Sequence, residues 1–72
     1  MTAALKQIRH LLQRVKQAQK RRDCASAFEA LLQAMRAYGY AMGAETLAPN
    51  EGHIRDEIAD VASDVFDGCI GR

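Results

Sequence analysis

The stretch CASAFEALLQAMRAYGYAMGA, residues 24–44, carries only two charged side chains, Glu29 and Arg36. Its flanks are charged and opposite in sign. Residues 1–22 hold seven Lys/Arg and no Asp/Glu, whereas residues 23–72 hold nine Asp/Glu against three Arg. A nearly uncharged segment between such flanks predicts a helix that is apolar around most of its circumference and covered by neighbours on more than one side.

Toward the amino end, residues 2–38 contain neither proline nor glycine, so nothing in them strongly breaks a helix. Two apolar stripes lie along this region. Leu5, Ile8, Leu11, Leu12 and Val15 make the first; Phe28, Leu31, Leu32, Met35, Tyr38 and Met42 make the second. At about 100° per residue, the two fall on nearly opposite sides of one continuous rod. A straight helix would then need a core on each side. A break near Arg22–Ala25 removes the conflict. Asp23 can cap there, and Ser26-Ala-Phe-Glu29 fits a capping box. The expected unit is a helical hairpin.

Toward the carboxyl end, Gly43 closes the second helix, with Gly39 a weak point before it. Leu47-Ala-Pro49-Asn50 forms a short loop, and Asn50 is the expected cap of a third helix. Ile54, Ile58, Val61 and Val65 recur at four- and three-residue steps, the seam of an amphipathic helix ended by Gly68 and Gly71. The expected fold is all-α, a hairpin plus a third amphipathic helix forming a three-helix bundle. Its helices cover roughly 3–22, 26–43 and 51–67 of a single domain, 1–72.

Seventy-two residues bury only about 60% of their unfolded surface, which leaves a domain marginal without a staple or a second copy. Cys24 and Cys69 could form one bridge, but no disulfide framework or zinc spacing is present. The chain's start lacks the apolar core of a signal peptide, and no apolar run nears ~20 residues. The expectation is a cytoplasmic protein with two reduced thiols, stabilised by self-association. Ala30, Ala34, Ala37 and Ala41, continuing to Ala44, make a small-residue strip that lets another helix approach closely. Either helix three covers that strip within the chain, or two copies meet there as a symmetric homodimer.

On helix one, Lys6, Arg9, Arg14, Lys16, Lys20 and Arg21 occupy the broad face opposite the apolar stripe, pointing away from the core. Such a face is open to an acidic protein surface or to phosphate. Net charge is only +1, and no aromatic residue interleaves the basic ones. The helix order does not resemble a recognition helix-turn-helix either, so nucleic acid is the alternative partner and not the first choice. On helix three, His53, Glu57, Asp60 and Asp64 share one polar stripe, with Asp56 and Asp67 beside it. Oxygen ligands on one face can hold Mg²⁺ or Mn²⁺, but one helix seldom completes a site, so a hydrated face without metal or cofactor is expected.

Glu57-Ile-Ala-Asp60-Val resembles the Glu-x-x-Asp motif of MazG-like all-alpha nucleotide pyrophosphohydrolases. The resemblance implies Glu57 and Asp60 as Mg²⁺ ligands in hydrolysis of nucleoside triphosphates. It covers five residues. That family's Glu-Glu-x-x-Glu cluster on the preceding helix is absent, because Phe28-Glu29-Ala30-Leu31-Leu32 supplies Glu29 alone. Nucleophiles fare no better: Ser26 and Ser63 read as cap and surface residues, Cys24 has no base near it, and His10 and His53 lack triad partners. The expected protein is a non-enzymatic regulator, adaptor or inhibitor that binds another protein. Lys6, Arg9, Arg14, Lys16 and Lys20 offer one face for this, and Asp56, Asp60 and Asp64 the other.

Overall fold

A computed structural model describes residues 1–71 as three helices and one 3-10 turn, with no strand among them. The helices are α1 (Ala3–Lys20), α2 (Cys24–Gly43) and α3 (Ile54–Cys69); the 3-10 turn is Pro49–Glu51. They form a small three-helix bundle, 37 × 17 × 16 Å in extent.

The ends of the helices show why the chain breaks where it does. Thr2 caps α1, its Oγ1 accepting from the Leu5 N–H at 3.1 Å. At the far end Arg22 takes a left-handed conformation, φ 57°. The Asp23 N–H then reaches back to the Ala18 carbonyl at 2.9 Å and the Arg22 N–H to that of Gln19 at 3.0 Å. This is the Schellman pattern that closes a helix, here built without glycine. Asp23 immediately caps α2 through the Ser26 N–H at 3.1 Å, so the helix begins at Cys24 and not at position 26. Ser26 donates its hydroxyl to Asp23 Oδ2 at 2.6 Å and is not itself the cap.

Glu45, φ 56°, repeats the same closure after α2: Thr46 N–H donates to Ala41 at 3.0 Å and Glu45 N–H to Met42 at 3.3 Å. Gly39 does not interrupt α2, and Gly68 lies within α3. The third helix begins at Ile54, three residues later than expected, because Pro49–Glu51 forms its own 3-10 turn. Asn50 caps nothing there.

The core runs the length of the bundle. Ile8, Val15, Ile54 and Val65 are its largest fully enclosed side chains. Leu5, Leu11, Leu12, Leu31, Ile58 and Val61 are buried around them. Ala27, Ala30, Ala34 and Ala41 are buried as well, and Ala37 is half-buried. The alanine strip therefore lies inside the chain. Cys24 and Phe28 mark the side of α2 that meets α3, through the Cys69 bridge and an edge-on ring contact with Phe66 at 5.7 Å. Of the two neighbours, α1 makes the more extensive contact with α2. The strip is enclosed within the single chain, in one core with side chains of both α1 and α3, so the symmetric homodimer expected through it is corrected: no alanine surface at 30, 34 or 41 remains for a second copy.

α2 is covered by neighbours on more than one side, as expected, but its apolar surface is not all enclosed. Leu32, Met35 and Met42 are each about half exposed, and Tyr40 is 80% exposed. Three short helices enclose one line of contact, so the middle helix keeps an outer face. The cysteines also depart from expectation. Cys24 and Cys69, 45 positions apart in sequence with Cα atoms 5.9 Å apart, are joined in a disulfide, so neither thiol is reduced. The bridge ties the start of α2 to the end of α3. At the opposite pole Glu51, only 5% exposed, ties the start of α1 to the 3-10 turn.

Candidate functional site

Of the three helix pairs, α1 and α3 pack least extensively, and a groove of about 400 Å³ runs between them. Its lining follows from the periodicity of the two helices. On α1, Arg9, Gln13 and Lys16 recur at four- and three-residue steps beside the buried stripe and form one wall. On α3, Glu57, Asp60 and Asp64 do the same and form the other wall. Leu12 and Val61, both buried, make the floor between them. Arg9 and Lys16, which flank the apolar stripe, thus face Glu57, Asp60 and Asp64 across one cleft, while the other basic residues of α1 lie outside it.

One contact crosses the groove. Arg9 Nη2 lies 3.5 Å from Glu57 Oε2, with both side chains 40–45% exposed. The same nitrogen lies 3.3 Å from His53 Nε2, while His53 Nδ1 is 3.2 Å from the Asn50 carbonyl. One ring nitrogen of His53 thus faces the Arg9 guanidinium and the other a backbone carbonyl. Arg9 Nε and Glu57 Oε2 are shielded from solvent without a hydrogen bond, so charge and not directed bonding holds the pair. An exposed pair of this kind contributes about 0–1 kcal/mol.

Lys16 lines the groove with Asp60 and Asp64 but is ion-paired to neither among the described residues. Lys6, Arg14 and Lys20 are exposed outside the groove lining, and so is Asp56 on α3. The predicted partner-binding residues therefore divide. Arg9, Lys16, Asp60 and Asp64 converge, whereas Lys6, Arg14, Lys20 and Asp56 spread over the outer faces.

No family model, curated protein or solved structure matches this chain. The chemistry of the site rests on its own residues. Glu57 and Asp60 stand one turn apart on α3, and the only carboxylate of α2, Glu29, is exposed on that helix. Among the described residues, no three His, Cys, Asp or Glu side chains are grouped so as to hold a metal ion. No described helix is long and apolar enough to cross a membrane.

Sequence reasoning missed one buried polar residue. Glu51 Oε1 accepts from the Thr2 hydroxyl at 2.8 Å and from the Ala48 N–H at 2.9 Å; Oε2 accepts from the Thr2 N–H at 3.1 Å. The Ala48 N–H, followed by the Thr2 donors, holds its carboxyl below the usual glutamate range against the opposing effect of burial. A lone acid just after Pro49-Asn50 was the only signal, and it reads equally well as a first-turn helix residue. The latch is structural and lies apart from the groove lining.

Proposed function

We propose that this protein is a non-enzymatic interaction module that binds a helix of a partner protein in the α1–α3 groove. The observation supporting this is the meeting of two opposite charge sets over an apolar floor: Arg9 and Lys16 on one wall, Glu57, Asp60 and Asp64 on the other, Leu12 and Val61 between. The fitting partner is an amphipathic helix with carboxylates along one edge and basic side chains along the other. Docked there, it completes a four-helix arrangement. Complementary walls fix its orientation and speed its encounter more than they raise affinity. The Cys24–Cys69 bridge supports residence where thiols are oxidised, over the cytoplasmic setting that reduced thiols would suit.

The experiment is affinity capture with the intact oxidised chain, followed by binding of the captured protein to two variants, Lys16→Glu and the pair Asp60→Lys with Asp64→Lys. Each is expected to weaken binding about tenfold, and raising salt should weaken the unaltered complex. Unchanged affinity in both variants rejects the groove. Retention on heparin or DNA that falls steeply with salt would replace the protein partner with a phosphate backbone. Mg²⁺-dependent release of pyrophosphate from a nucleoside triphosphate would restore the hydrolase alternative.

A further inference from the structure

The outer face of α2 is built to meet another helix. Phe28, Leu32, Met35, Gly39 and Met42 follow steps of four, three, four and three, the spacing of a coiled-coil seam. Leu32, Met35 and Met42 are 48–53% exposed, so the seam is open from position 32 onward, while Phe28 at its start is half-buried against α3. At Gly39 a Cβ would meet nothing within 4 Å, leaving a notch in the stripe. Phe66, 50% exposed, packs edge-on against Phe28 and widens the stripe at that end. None of these residues lines the groove between α1 and α3.

The charges of α2 say what covers this face. Glu29 and Arg36, both exposed, immediately follow Phe28 and Met35 and so lie seven residues apart on the same flank of the seam. In a parallel pair of such helices, this flank faces the opposite flank of the second copy, which carries Leu31 and Tyr38, and the two charges find no partner. In an antiparallel pair like flanks meet in reverse order, and Glu29 of each copy comes alongside Arg36 of the other, twice over by symmetry. The same register sets Leu32 against Met35 of the second copy and brings the Gly39 notch over the part of Phe28 that α3 leaves uncovered. Charge, bulk and vacancy all agree in one register.

We propose that α2 is the interface of an antiparallel homodimer, sealed by Phe28, Leu32, Met35 and Met42 and oriented by reciprocal Glu29–Arg36 pairs. This self-association is independent of groove binding and uses a different face.

Analytical ultracentrifugation of the oxidised chain tests it. A species of twice the 7.9 kDa chain mass is expected in the micromolar range and above. Glu29→Arg and Arg36→Glu each replace two attractions with two repulsions and should each weaken the dimer about tenfold or more. The double exchange E29R/R36E should restore it, and an equimolar mixture of the two single variants should form the mixed dimer in preference to either self-pair. Both positions are exposed, so circular dichroism is expected to show unchanged helix content. A pure monomer up to roughly 1 mM overturns the proposal. So does a dimer indifferent to these exchanges, which would place the interface elsewhere or make it parallel.

Discussion

Glu51 is a single side chain that joins two segments 49 positions apart. Because three hydrogen bonds stabilise its charged form, its folded pKa is lowered, and the unfolded chain binds the proton more readily. The sign follows: this contribution is complete above the ordinary glutamate value of 4.5 and is lost as pH falls through the lower folded value. Asp23 acts in the same sense, its carboxyl lowered chiefly by the Ser26 hydroxyl and then by the Ser26 N–H. Glu51→Gln cannot titrate and has one acceptor oxygen where the latch uses two. Its melting temperature is expected to lie below that of the unaltered chain at neutral pH and to fall less steeply between about pH 5 and 3. Equal slopes in the two proteins would mean that the latch does not couple to protons.

At the scale of an element, α2 shows what a sequence reveals and where it stops. The break before it was legible, because two stripes on opposite sides of one rod cannot share a core, and Asp23 supplied the cap. The alanine strip was legible as a feature too, but not its neighbour. Periodicity tells which residues share a face and says nothing of which helix arrives there. Charge-poor composition also overstated burial, since Leu32, Met35 and Met42 read as core by type yet stand half exposed. On α3, the side chains of the charged groove wall could be picked out from their spacing, while their meeting with Arg9 and Lys16 depended on the tertiary arrangement. Substitution distinguishes the two sides of α2. Ala34→Leu puts extra volume into a fully enclosed position and should cost about 1–3 kcal/mol in chemical denaturation. Leu32→Ala, on the outer face, should change the stability of the single chain by about 0.5 kcal/mol or less, measured at concentrations below self-association.

For the molecule as a whole, the Cys24–Cys69 bridge supplies what a core of this size lacks. It closes a loop of sequence separation 45, and a constraint of that length stabilises by about 2–4 kcal/mol, chiefly by restricting the unfolded chain. Replacing both cysteines by serine, or adding a reductant, should lower the melting temperature on the order of 10–20 °C. The intact mass of the protein drawn from its source should fall short of the dithiol form by two hydrogens; a full complement of hydrogens would show the thiols open in the cell. With two cysteines the sequence leaves one possible pair, but whether it closes depends on how α2 and α3 are laid side by side.

The bridge and the Glu51 latch close opposite ends of a rod 37 Å long. One fastening yields to electrons and the other to protons, and they share no residue. Reductant should therefore loosen the bridged pole alone, whereas acid should loosen the latched pole and, through the Asp23 cap beside Cys24, part of the bridged one as well.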